Sequence, residues 1–302
     1  MLMEYREEVK VYRSRYTPWK ADWKNRLLSR ITVSDEVVEK AIQPGDDVPL
    51  IFGRCLTMMD KLASVVGFLT IIPAGNKGSL KEVVEGIYFF PLVGMFIGLI
   101  GGLTAFLAAG YSAGILRGLA ALAAITLISG GHHADGLLDL GDAFMHQASK
   151  ADRIRVMRDS RIGAGGFLLG FFLYTLTAVA IANVEKARVV ETLAAVEALS
   201  KNSMVFTGFM GSPASNGAGG FFAENLKGKT GLIKVAAASA LSFTLSSFLM
   251  GWLGALLFIF SLIVSVAVLQ CSQRLLGGLT GDVLGAVGEI TRGALILAGG
   301  WR

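Results

Sequence analysis

Asp135, Asp139 and Asp142 stand at i, i+4 and i+7 in a polar island of the chain, SGGHHADGLLDLGDAFMHQASKADRIRVMRDSRIGAGG, residues 129–166. On a helix with 3.6 residues per turn the three carboxylates share one face. Like charges aligned in this way repel unless a cation joins them. Mg²⁺ is the natural candidate, because it takes oxygen ligands from one or two carboxylates and completes its shell with water and substrate phosphates. Just downstream, Lys150, Arg153, Arg155, Arg158 and Arg161 supply cations, four of them guanidinium forks suited to phosphate oxygens. Acids for a metal and then cations for phosphate point to phosphoryl transfer. A solvated loop of mixed charge is the bland alternative, and three acids on one stripe beside His132 and His133 are costly clustering for it.

The elements that must position these groups are hydrophobic. Of 302 residues, 53% are hydrophobic and only 17% charged, too apolar for an ordinary soluble domain, so the chain reads as an all-α, polytopic integral membrane protein. Stretches 87–109, 112–130 (with Arg117 as its one charge), 163–184 and 235–269 are nearly free of charge, and a span needs roughly 20 residues. The last is long enough for two, turning near Gly251 and Gly254. With a returning segment 189–212 and a final helix at about 283–300, some six to seven transmembrane helices are expected, plus short interfacial ones. Glu191, Glu197 and Lys201 in 189–212 should face protein or water. Gly94, Gly98 and Gly102 stand at the spacing that lets helices pack closely. Residues 62–73 are too short to span and read as interfacial or re-entrant, ended by Pro73.

Residues 1–50 are a different material, polar, basic and dotted with Trp19 and Trp23, without the apolar region of a signal peptide. They read as a cytoplasmic extension lying on headgroups or as a tail. Counting Lys and Arg in short loops places Lys77, Lys81 and the cations of 150–161 in the cytoplasm. On that count every motif-bearing loop lies on the cytoplasmic side of the cell membrane. Two further loops carry glycine, GGLTGD at 277–282 and NGAGGF at 216–221. The first permits close backbone approach to a phosphate, and the second serves as a lid or as a connector. Cys55 and Cys271 form no disulfide or metal pattern.

Taken together, GGHHADGLLDLGDA from Gly130, RIRVMRDSRIG from Arg153, GGLTGDVLGA from Gly277 and FLTIIP from Phe68 resemble the cobalamin synthase family, the adenosylcobinamide-GDP ribazoletransferases. The family pattern looks like GGxHxDGLxDxxDG, RxxIMRDSRxG and GGxTGDxLGA in that order, and the resemblance runs from about residue 52 to the C-terminus. It implies a membrane-embedded synthase domain over 51–302. It also implies Mg²⁺ dependence, with Asp135, Asp139 and Asp142 as ligands and Asp159 as a further one. Arg153, Arg158, Arg161 and Lys201 would hold phosphates, and His133 or Asp282 would take a proton. Three positions depart from the pattern: Ala143 replaces glycine, Val156 isoleucine and Lys201 an arginine.

The reaction so implied is attack by a ribose hydroxyl of α-ribazole, or of its 5′-phosphate, on the phosphate attached to cobinamide, with GMP leaving. Substrates and membrane lipid are then the expected partners, nucleic acid is not, and the glycine-lined spans would suit a homo-oligomer. A CDP-alcohol phosphotransferase is the closest rival enzyme. Asp135 and Gly136 match the start of its signature, but the Ala-Arg that should follow is absent. A transporter would carry its acids at span centres and show paired halves, and here the acids lie in loops and at helix ends.

Overall fold

The apolar blocks become helices. In the computed structural model, which describes residues 50–302 without 75–78, 111–113, 160, 216 and 300–302, twelve α-helices and one 3-10 turn account for the regular structure. Apart from Leu50, the N-terminal extension read from the sequence lies outside the described residues. Long helices are α1 (Leu50–Leu69), α3 (Phe90–Ala108), α4 (Gly114–Ile128), α7 (Ala164–Asn183), α8 (Val189–Met210), α10 (Gly228–Met250), α11 (Trp252–Leu276) and α12 (Gly281–Gly299). Shorter ones are α2 (Leu80–Glu85), α5 (His132–Met145), α6 (Lys150–Met157) and α9 (Ala218–Asn225).

The bundle is built around α8. Every residue from 192 to 205 is buried, with α3, α10, α11 and α12 packed on it. Gly94, Gly98 and Gly102 make the closest of these contacts. A Cβ on Gly94 would run into the backbone of Glu197, one on Gly98 into Leu193 and Ala194, and one on Gly102 to 2.6 Å from the Cα of Val190. The close packing expected from their spacing is what the structure shows.

Surrounded in this way, α8 carries charge that lipid would not tolerate. Lys201 Nζ donates to Glu197 Oε2 at 3.1 Å, and Arg292 of α12 donates to both Glu197 oxygens and to Glu289. Tyr174 of α7 donates its hydroxyl to Glu289 Oε2 at 2.9 Å. Two acids and two bases, all at most 4% exposed, thus close a neutral network that ties three helices together.

Four helices or helical segments are long and apolar enough to cross a membrane: 87–108, 164–183, 228–250 and 252–276. The pair α4 and α5, bent by 101°, makes a fifth if taken as one span. The two further helices in the expected count are α8 and α12. Both have the length, but their charges are sheltered by neighbouring helices rather than absent. Phe171, Phe172, Ile233, Phe248 and Ile263 are exposed on the outer helices, as lipid-facing residues would be.

Two expectations change. The segment read as an interfacial helix over 62–73 is the second half of the 20-residue α1. That helix stops at Leu69, before Pro73, where the Thr70 hydroxyl bonds back to the Val66 carbonyl. Arg117, read only as an exception in an apolar stretch, is buried and donates to the carbonyls of Ile181 and Val184 at the end of α7. Those last-turn carbonyls lack intrahelical partners, so the guanidinium caps one helix from another.

Candidate functional site

The polar island leaves the bundle at a bend. Gly130 and Gly131 both take left-handed backbone, with φ of 69° and 73°, a conformation open chiefly to glycine. Two such residues in succession turn α5 across α4 instead of continuing it. The FLTIIP strap supports the corner: Ile71 N–H donates to the Ile128 carbonyl at 2.8 Å, and the Ile71 side chain lies under Gly130.

α5 is amphipathic. Its Leu137, Leu140 and Ala143 are buried, Asp135 is exposed, and Asp139 and Asp142 are half-buried. A fourth acid joins them because Gly136 lacks a side chain. The first turn of α12 lies against it, so that a Cβ there would stand 2.5 Å from the Asp282 carbonyl oxygen. One turn on, Gly285 of α12 rests against the backbone of His133. The first and third motifs are thus one contact surface. Burial, and then the carboxylates of Asp282, Asp135 and Asp142, push the Asp139 carboxyl up to about 7.

Asp142 has a second job. Its two oxygens accept from Gly163 N–H and Gly166 N–H, each at 2.8 Å, so the carboxylate caps the start of α7 from outside. Gly141, Gly165 and Gly166 let the helices close to backbone contact there. The second motif is held to the first by Arg153, whose guanidinium donates to the carbonyls of Ala143 and Phe144 at the end of α5, and to Ala148. Arg158 is exposed, and its charge acts on Asp282. Asp159 is turned to Arg161 in a two-point pair, at 2.8 and 3.1 Å, which holds its carboxyl down at about 2.

Two expected residues sit below this surface. Lys201 is fully buried and paired with Glu197. His133 is 7% exposed, and its buried Nδ1 has no hydrogen-bond partner. The network members Arg292, Glu289 and Tyr174 were not singled out by sequence reasoning as a unit. The available signal was Glu289 and Arg292 three apart in an otherwise apolar helix.

The glycine-rich loops lock together. Leu279 N–H donates to Ser212 O at 2.7 Å and Ala214 N–H to Leu279 O at 3.1 Å, while Gly219 lies on the backbone of Thr280 and Gly281. Gly219, in the second glycine loop, is thus docked on the start of α12. Lys150 Nζ reaches the Gln273 carbonyl at 3.4 Å and brings α6 to the same corner. All motif-bearing segments converge on one end of the bundle.

Among the described residues no three His, Cys, Asp or Glu side chains stand close enough to form a ready-made metal site. The donor set nevertheless fits a hard divalent cation. It is four carboxylates on two helices, with one acid forced towards its protonated form near neutral pH and cations only at the rim.

A bundle of apolar helices with acids and arginines gathered at one polar end describes a membrane-embedded enzyme of phosphate chemistry. The family described as cobalamin-5-phosphate synthase matches residues 61–299, and the chain belongs to it. An adenosylcobinamide-GDP ribazoletransferase of Alkaliphilus oremlandii is 32% identical over 246 residues, covering 80% of this chain and 96% of its own. Proteins of the same description from Methanosarcina barkeri and Escherichia coli are 29% and 26% identical over 245 and 242 residues. These alignments cover 75% and 78% of this chain, and 86% and 97% of the relatives' own lengths. No solved structure matches the chain.

Proposed function

We propose that the chain transfers the cobinamide-phosphate part of adenosylcobinamide-GDP to α-ribazole or its 5′-phosphate. GMP is released, and adenosylcobalamin or its 5′-phosphate is formed. The observation that carries this reading is the contact of Gly136 with Asp282, which joins the first and third family motifs into one four-acid face with Arg158 at its rim. The activity by which the relatives are described supplies the substrates.

Asp135, Asp139 and Asp282 are the residues that would hold Mg²⁺, with Asp142 contributing what its α7 contacts leave over. Bound there, the ion would neutralise pyrophosphate oxygens during displacement. Arg158 steadies the phosphates from the rim. The attacking ribose hydroxyl loses its proton to a neighbouring acceptor, for which Asp282 stands in the acid face and His133 lies buried behind it. The phosphorus–oxygen bond to GMP breaks as the new ester bond forms. Arg153 positions α5 rather than touching substrate.

The reacting end faces the cytoplasm of the cell membrane in this reading, supported by the Lys and Arg of 150–161 and Lys81. The test is GMP release from adenosylcobinamide-GDP and α-ribazole by the purified chain in detergent. Release should require Mg²⁺ and vanish in Asp135→Asn with helix content and monodispersity intact. Metal-independent release, or none from well-folded protein, would overturn the proposal.

A further inference from the structure

Beside the acid face, at its Asp142 end, lies a groove of about 450 Å³ between the end of α5, the end of α6 and the start of α7. Asp142 belongs to both the groove and the acid row. A ligand with phosphate at the acids would therefore extend its body into the groove without a gap. Volumes of 300–1,000 Å³ are usual for small-molecule sites. Met145 and Ile162 flank it, 54% and 64% exposed, two large apolar side chains at the polar end of the bundle. Gly163 and Gly165 keep its floor free of side chains.

At the mouth stand Asp159 and Arg161. Their side chains are 40% and 87% exposed, where an ion pair contributes little to stability. Asp159 Oδ1 accepts from the backbone N–H and Nε of Arg161, and Oδ2 accepts from Nη2, so a ligand that bonds to both carboxylate oxygens displaces the exposed guanidinium and frees it for the ligand's own acceptors. Guanine is the base that such a pair fits. Its N1–H and 2-amino group donate to a carboxylate, and its O6 and N7 accept from a guanidinium. Adenine has one donor, its 6-amino group, beside an acceptor at N1, so it cannot bond to both carboxylate oxygens at once, and an N-glycosylated benzimidazole offers no N–H donor at all.

We propose that this groove seats the guanine of the nucleotide that leaves. Met145 and Ile162 cover its faces, and Asp159 with Arg161 reads its edge. The inference rests on the transfer reaction proposed above, but it is tested by binding alone. Equilibrium dialysis of labelled GMP against the detergent-purified full chain with Mg²⁺ gives the reference, and unlabelled GMP, IMP, AMP and α-ribazole serve as competitors. GMP should outcompete AMP by about tenfold or more, the discrimination expected of a paired donor–acceptor edge, with IMP between them.

Asp159→Asn should bring the GMP-to-AMP ratio to within about twofold, and Arg161→Gln should reduce it. Met145→Ser with Ile162→Ser should weaken GMP and AMP alike. Equal competition by GMP and AMP in the parent chain, or a ratio that survives Asp159→Asn, would overturn the assignment. So would displacement of GMP by α-ribazole that is lost in the Met145 and Ile162 variants, because the groove would then belong to the other substrate. GMP release without base preference removes this inference and leaves the reaction standing, whereas guanine-selective binding without release does the reverse.

Discussion

The backbone of Asp282 lies directly on Gly136: a Cβ at 136 would come within 2.5 Å of the Asp282 carbonyl oxygen and 2.8 Å of its Cα. Both obstacles are backbone, which cannot rotate aside as a side chain could. Gly136→Ala should therefore push α12 off α5 and withdraw Asp282 from the acid face. The expected outcome is a loss of GMP release of about a hundredfold or more, as for a reacting group displaced by about an ångström, with a modest fall in Tm. Unchanged turnover in a folded Gly136→Ala chain would show that Asp282 need not stand where it does.

Asp139 gives a dependence on pH. Its carboxyl ordinarily titrates near 3.8 and is pushed up to about 7 in the fold, so the folded chain holds this proton more tightly than the unfolded one. The associated stability is fully present below about pH 4 and is lost as pH rises through about 7. In metal-free detergent, Tm should fall over that window. Asp139→Asn should flatten the slope, by on the order of 1–2 kcal/mol after discounting for the solvent that reaches a half-buried group. Millimolar Mg²⁺ should flatten it too, and a slope indifferent to both would remove Asp139 from the metal site.

Asp135 and Asp142 should separate cleanly. Asp142 caps α7 through two N–H groups, so Asp142→Ala should cost about 1–2 kcal/mol of stability besides activity. Asp135 is exposed, and Asp135→Asn should leave thermal unfolding unchanged while GMP release disappears. Differential scanning fluorimetry beside the release assay compares the two directly.

The buried network should be graded by what each change leaves unpaired. Glu197→Ala strands Lys201 inside the bundle and leaves Arg292 with Glu289 alone, a loss of roughly 3–5 kcal/mol. Tyr174→Phe removes one hydroxyl from Glu289, a loss of about 1 kcal/mol. Equal effects in thermal unfolding would mean that the charges are not the element holding α8 to α12.

Much of this was legible because glycine and charge are informative inside apolar helices. Asp135, Asp139 and Asp142 at helical spacing foretold a shared face, and Gly94, Gly98 and Gly102 foretold the α3–α8 contact. The sequence also showed which turns fall at one end of the bundle. What it could not show was contact between distant segments. Nothing local to Arg153 says that its guanidinium turns back to the carbonyls of α5, whereas the partner of Lys201 was legible: Glu197 stands one turn before it on the same helix. The length of α1 was hidden because Arg54 and Asp60 break the apolar run that a span reading looks for.

The fully enclosed position of α8 also constrains how the molecule is made. Its partner Arg292 is synthesised 95 residues after Glu197, so during translation the helix has only its own neighbour to rely on. Glu197 and Lys201, one turn apart, neutralise each other within the same segment. A nascent α8 can thus present Glu197 and Lys201 to α3 as a neutral pair, with Glu191 left charged in its first turn, and the last helix, arriving with Arg292 and Glu289 already side by side, closes the assembly by exchange of partners.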